Sequence, residues 1–240
     1  MNIEVLADSE AVAQRAASII AEEAWEAITS RGMFVMAVSG GQTPWLMLRD
    51  LAAMGIPWRG VHIVQVDERV APEDHPDRNL THLRESLLSH APLPPEQIYP
   101  MPVEAADLER AAADYAQTLR QITGQPAVLD LVHLGLGADG HTASLVPGDP
   151  VLYVEDTDVA LRRPYQGRQR MTLTCPILNR ARKILWVVTG REEAEMCRRL
   201  LAGYRSIPAG YICRDRALVV ADCAAAETAH SLIKGEVICA

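Results

Sequence analysis

The feature that most restricts the fold is an apolar run that breaks abruptly into glycines. Residues 129–134 read Leu-Asp-Leu-Val-His-Leu, and Gly135, Gly137 and Gly140 follow at once, interleaved with Asp139 and His141. A short apolar run closed by turn residues suits a strand of a parallel sheet covered on both faces. Glycines at its end let the backbone turn tightly and come close to a ligand. In open α/β sheets ligands bind just beyond the carboxyl ends of strands, which is where Asp139 and His141 fall.

Two other stretches repeat the arrangement. Residues 33–38 run into Ser39-Gly40-Gly41-Gln42-Thr43-Pro44 and then an apolar helical stretch with Leu46, Leu48 and Leu51. This reads as an anion cradle. Gly40 and Gly41 leave backbone N–H groups accessible, Ser39 and Thr43 add hydroxyl donors, Pro44 suits the first helical position, and the helix dipole favours negative charge. Residues 61–66 end in Asp67-Glu68-Arg69, which places charge at another strand end. None of these loops is decisive alone, because Asp-Gly turns, Gly-Gly connectors and exposed Asp-Glu-Arg segments are ordinary surface features. Together they follow parallel strands whose carboxyl ends share one sheet edge, so they can meet in one site. An anion cradle beside a candidate base suggests acid–base chemistry on a small phosphate ester.

The rest of the chain supports that frame. Further strands are predicted at 3–6, 98–101, 171–174, 184–188 and 217–220. Helices are predicted from a cap at Asp8 or Ser9 to Gly32, then at 79–90, 108–122 and 192–201, with a short terminal one. Residues 162–170, which hold Arg162, Arg163, Arg168 and Arg170, read as a basic loop. The alternation predicts an α/β protein, a single Rossmann-like domain over residues 1–240 with a mostly parallel sheet flanked by helices on both faces.

Composition narrows the partners. With 49% hydrophobic and 22% charged residues the chain has material for a sizeable core. A formal charge of -8 argues against a nucleic-acid partner, which needs a basic footprint. No apolar run approaches the roughly 18 residues of a membrane span, and the start Met-Asn-Ile-Glu-Val lacks a signal pattern, so no membrane partner and a cytoplasmic location are expected. The five cysteines are odd in number with no Cys-x-x-Cys spacing, which predicts reduced thiols, and no ligand spacing suggests a metal.

These blocks carry a resemblance. Ser39 to Pro44, then Val-Asp-Glu-Arg at 66–69 with His-Pro-Asp-Arg-Asn at 75–79, then Gly135-Leu-Gly-Ala-Asp-Gly-His-Thr-Ala-Ser-Leu-Val-Pro-Gly148, resemble the signature blocks of the 6-phosphogluconolactonase family, in the same order. Arg170-Met-Thr-Leu-Thr-Cys-Pro-Ile-Leu-Asn and Val187-Val-Thr-Gly are similar to its later blocks. The resemblance implies a fold shared with glucosamine-6-phosphate deaminases and ribose-5-phosphate isomerases. It implies hydrolysis of 6-phospho-D-glucono-1,5-lactone to 6-phosphogluconate in the pentose phosphate pathway, with no metal or organic cofactor; independently of the resemblance, a monomer or small homo-oligomer is expected.

Carried onto this chain, the resemblance makes His141 the catalytic base and Ser39, Gly40, Gly41 and Thr43 the phosphate loop. Asp67 is expected to orient His141 or the substrate hydroxyls, Arg69 to hold phosphate, and Asp139 with Gly140 to shape the turn and line the substrate. Two lysines that the family carries are absent: one segment reads Arg163-Pro-Tyr-Gln-Gly-Arg168, and the Thr-Gly-x-x-Lys pattern reads Thr189-Gly-Arg-Glu-Glu193. Arg168 or a neighbour is therefore the expected replacement cation, since guanidinium binds phosphate bidentately. The alternative activity is an aldose–ketose isomerase or deaminase of amino-sugar phosphates. Its glutamate five residues beyond the histidine is Val146 here.

Overall fold

Strand alternation decides where the cores lie. In the computed structural model, which describes residues 1–165 and 167–229, the parallel sheet is built from β1 (Asn2–Leu6), β2 (Phe34–Val38), β3 (Val61–Gln65), β5 (Ile98–Tyr99), β6 (Leu131–Leu134), β9 (Lys183–Val188) and β10 (Ala217–Asp222). A second, antiparallel sheet is built from β4 (Asp67–Arg69), β7 (Val159–Tyr165) and β8 (Arg168–Leu173). The helices are α1 (Ser9–Arg31), α2 (Gln42–Ala52), α3 (Asn79–Leu83), α4 (Leu108–Thr123), α5 (Cys175–Arg180), α6 (Ala194–Ala202) and α7 (Cys223–Ala226).

In β2 every residue is buried. Phe34, Met36 and Val38 pack in one core with Ile20 of α1 and Leu48 of α2. Val35 and Ala37 pack in the other with Leu119 of α4, Ile177 of α5 and Leu200 of α6. Helices therefore cover both faces, as expected. No helix among the described residues is long and apolar enough to cross a membrane.

Strand order places the site. The parallel sheet runs β1-β10-β9-β6-β2-β3-β5. From β2 the chain steps to β3 on one side, and from β6 it steps to β9 on the other. The crevice beyond the carboxyl ends of β2 and β6 is thus the topological switch point, where such sheets bind ligands. The Ser39 turn and the His141 turn both open there.

Several expectations are corrected. Residues 162–165 and 168–170 are not a loop: they belong to the facing strands β7 and β8, with Arg162 opposite Arg170. Charge together with Pro164 and Gly167 suggested a loop, yet Arg162 is 4% exposed and Arg170 8%, each given acidic company by the fold. Asp67–Arg69 does not trail β3 but starts a new sheet by pairing with β8. Pro44 is the third helical residue rather than the first, because Gly41 is the cap, and Leu46 faces outward. Cys175, Cys197 and Cys213 are free, as expected, but Cys223 is disulfide-bonded. Cysteine spacing could not reveal that, since pairing follows spatial proximity. Cys239 and the rest of the terminal segment lie outside the described residues.

Candidate active site

The crevice holds a cavity of about 150 Å³ whose wall includes Ser39, Gly40, Asp67, Arg69, His141 and Arg170. All three predicted loops reach it. The His141 turn is closed by the Gly137 amide donating to the His141 carbonyl at 2.9 Å and the Gly140 amide donating to the Gly137 carbonyl at 2.8 Å. Glycine is required twice in this turn. A Cβ at Gly137 would overlap the His141 ring, and Gly140 combines a φ of +82° with close approach to Ile207.

His141 Nδ1 lies 2.5 Å from Asp139 Oδ1, which also accepts the His141 backbone N–H at 3.0 Å. A carboxylate accepts at that contact, so the proton sits on Nδ1 and Nε2 carries the basic lone pair. The carboxylate in contact with the imidazole is thus Asp139, whereas Asp67 was expected to orient either His141 or the substrate hydroxyls. Asp67 is instead buried in the cavity wall, where Oδ2 accepts from Ser144 Oγ at 2.5 Å and Oδ1 accepts from Asn79 Nδ2 at 3.2 Å. Gly140 faces Ile207, and its carbonyl accepts from Ala209 at 3.0 Å, so it braces the turn.

Glu68, which sequence reasoning passed over, holds this wall together. Its Oε1 accepts the backbone N–H groups of Arg69 and Asn79 at 2.8 Å each. Its Oε2 accepts from Leu80 N at 2.8 Å and Gln65 Nε2 at 2.9 Å, and it pairs with Arg78 Nε at 3.3 Å. The two charged side chains are 0% and 4% exposed. Asn79 Oδ1 then accepts from Arg69 Nη1. The sequence sign was that Glu68 stands in the quoted Val-Asp-Glu-Arg block and its partners Arg78 and Asn79 close the His-Pro-Asp-Arg-Asn block.

Register concentrates positive charge. Arg69 lies opposite Arg170 across β4 and β8, and Arg162 lies opposite Arg170 across β7 and β8. Like charges placed opposite each other are destabilising, so such a row attracts anions. Arg162 takes Asp149 at 3.2 Å, and Arg170 lies 3.8 Å from Asp67. A second cavity of about 370 Å³ shares Arg69 and Arg170 and adds Arg168, Trp45 and His82. There Arg168 donates through Nε to Asp77 at 2.9 Å, and its Nη2 lies 2.8 Å from Asp77 and 3.0 Å from His75 Nε2. That hydrogen bond holds the Asp77 carboxyl below its usual range.

The other side of the Gly41 turn has the opposite sign. A cavity of about 430 Å³ there is lined by Thr43, Glu192, Glu193 and Asp222. Burial, then Glu192 and Asp222, push the Glu193 carboxyl up to about 7. The Thr43 hydroxyl is hydrogen-bonded to that of Thr189 at 2.8 Å. Ser39 is likewise occupied, its hydroxyl donating to the His133 carbonyl at 3.0 Å.

Known proteins share this arrangement at the level of sequence and fold. The family described as glucosamine-6-phosphate isomerases/6-phosphogluconolactonase matches residues 7–220. A protein of Synechocystis sp. named 6-phosphogluconolactonase is 36% identical over 195 residues, covering 80% of this chain and 81% of its own. The solved 6-phosphogluconolactonase of Trypanosoma brucei superposes with a TM-score of 0.85 at 24% identity, over 94% of this chain and 97% of that one. A monomeric glucosamine-6-phosphate deaminase superposes with a TM-score of 0.82 at 21% identity, over 95% of this chain and 100% of that one, so the fold alone does not choose between the two activities. The sequence match does settle kinship: the chain belongs to the glucosamine-6-phosphate isomerase/6-phosphogluconolactonase family.

Proposed function

We propose that the protein hydrolyses 6-phospho-D-glucono-1,5-lactone to 6-phospho-D-gluconate, the lactone-opening step of the oxidative pentose phosphate pathway. The observation that carries this reading is one small cavity that joins the Asp139-held imidazole of His141 to Arg69 and Arg170. In the proposed reaction His141 Nε2 takes a proton from water as its oxygen attacks the lactone carbonyl. The imidazolium returns that proton to the ring oxygen as the tetrahedral species collapses. The Gly137 and Gly140 amides are already used within their turn, so stabilising the oxyanion falls to Arg170 and the Gly40 amide in the cavity wall. Asp67 accepts hydrogen bonds from substrate hydroxyls.

Coulomb attraction chooses the phosphoryl subsite. A dianion beside the Gly41 turn is drawn to the side of Arg69, Arg168 and Arg170 and repelled by Glu192, Glu193 and Asp222 on the other. Deamination is disfavoured because the position of the expected proton-relay glutamate holds Val146, which is buried.

The test is hydrolysis of freshly generated 6-phosphogluconolactone above its spontaneous rate, with glucosamine 6-phosphate as the competing substrate. Turnover of the amino sugar alone would overturn the reading. Within it, Arg168→Met should raise KM for the phosphorylated lactone by roughly 10- to 100-fold, the scale of one lost charge-assisted contact. Unphosphorylated gluconolactone should be turned over as before. An unchanged preference for the phosphorylated substrate would remove Arg168 from the clamp.

A further inference from the structure

The two strands that frame the switch point are held together at their carboxyl ends by a side chain. The register between β2 and β6 comprises Met36 with Leu131 and Ala37 with Val132. Beyond it, the Ser39 N–H donates to His133 Nδ1 at 3.2 Å, and the Ser39 hydroxyl donates to the His133 carbonyl at 3.0 Å. His133 is completely buried. By strand alternation its ring lies on the face of Leu131, toward α1 and α2.

Burial pushes this imidazole down to about 3, so at neutral pH it is uncharged. Nδ1 then keeps a lone pair for Ser39 and Nε2 carries the proton. That Nε2–H has no partner among the described residues. An unpaired donor in a core is destabilising, and an aliphatic side chain fills a covered strand without that penalty. Packing alone therefore gives no reason for a histidine here.

We propose that His133 is a positioning residue for catalysis. Its imidazole fixes Ser39, and through it the Gly40–Gly41 turn and the start of α2, relative to the turn that leaves the same strand at Gly135 and carries His141. The anion subsite and the base hang from two different strands, and His133 sets the distance between them. Displacement of reacting groups by about 1 Å can reduce a rate by about 100-fold. The kinetic consequence rests on the lactonase reading, whereas the structural one does not.

The experiment compares His133→Leu, His133→Asn and His133→Gln with the wild type. Asparagine keeps an oxygen acceptor close to the Nδ1 position, glutamine moves it away, and leucine removes it. Three readouts are taken: hydrogen exchange of the Ser39 amide by NMR, binding of inorganic phosphate, and kcat and KM for the phosphorylated lactone. The leucine variant should keep or raise the thermal midpoint, lose protection at Ser39, bind inorganic phosphate more weakly, and lose about 10- to 100-fold in kcat/KM. The asparagine variant should retain most of each property. A leucine variant with a protected Ser39 amide and wild-type kcat/KM overturns the proposal. Should leucine prevent folding, the asparagine and glutamine variants decide, and equal Ser39 protection with equal kcat/KM in those two overturns it as well. If the wild type hydrolyses no lactone, the lactonase reading falls, while Ser39 exchange and phosphate binding still judge His133.

Discussion

With His141 replaced by alanine, kcat for the phosphorylated lactone is expected to fall by roughly 10²–10⁴-fold, the usual scale of general acid–base catalysis. KM should change little, because in the proposed reaction the phosphoryl contacts are assigned to Arg69, Arg168 and Arg170, which line the adjoining cavity. A fall in kcat with KM preserved marks a group whose contribution is made in the transition state. The loss should be this large because no other imidazole among the described residues lines the same cavity, and the nearby carboxylate, Asp67, is already engaged by Ser144 and Asn79. Spontaneous hydrolysis must be subtracted at each substrate concentration, since the lactone opens unaided. A variant with full enzymatic activity would remove His141 from the mechanism and with it the catalytic meaning of the Asp139 contact.

The largest effect on stability is expected at Glu68. Glu68→Gln keeps the shape but replaces one acceptor oxygen by an NH2 group, which would face either the N–H groups of Arg69 and Asn79 or those of Leu80 and the Gln65 side chain. It also leaves Arg78, 4% exposed, without the carboxylate at 3.3 Å. Breaking a buried ion pair from one side typically costs about 3–5 kcal/mol. For a chain of this length that corresponds to a drop in Tm on the order of 10 °C. Calorimetry checks it, and a change within about 1 kcal/mol would show that water or neighbouring groups compensate. Because Glu68 sets the backbone of Arg69 and Asn79, residual activity in the folded fraction should also show a raised KM.

What could be read from the sequence was local in origin. Asp8 caps α1 by accepting from Glu10 N and Ala11 N, and Gly32 ends that helix with a φ of 80°, both as expected. β2 and β6 and their glycine turns were readable because an apolar run followed by a turn is a contiguous signal. The β7–β8 hairpin was not. Its arginines are stabilised in a strand by Asp149 and Asp67, partners that periodicity does not encode. The hydrogen bond from Ser144 to Asp67 spans 77 positions, and that from Arg168 to Asp77 spans 91. Asp139 was readable as a turn residue, but its role as the partner of His141 depends on a ring orientation that residue types alone leave open.

The placement of the crevice between β2 and β6 also governs when the protein can work. Ser39 and His133, which meet there, are 94 positions apart in the chain. Closing so long a segment is entropically costly and is compensated only by contacts made after closure, which is why non-local parallel pairings form slowly. Among the described residues no short segment holds the whole cavity wall: the Ser39–Gly41 turn is synthesised with β2, long before the His141 imidazole that lines the same crevice. During refolding, secondary structure and much of the α1–α2 core can form while the crevice does not yet exist. Recovery of catalysis therefore times the joining of the two halves of the sheet, an event that spectroscopic probes of helix content pass over.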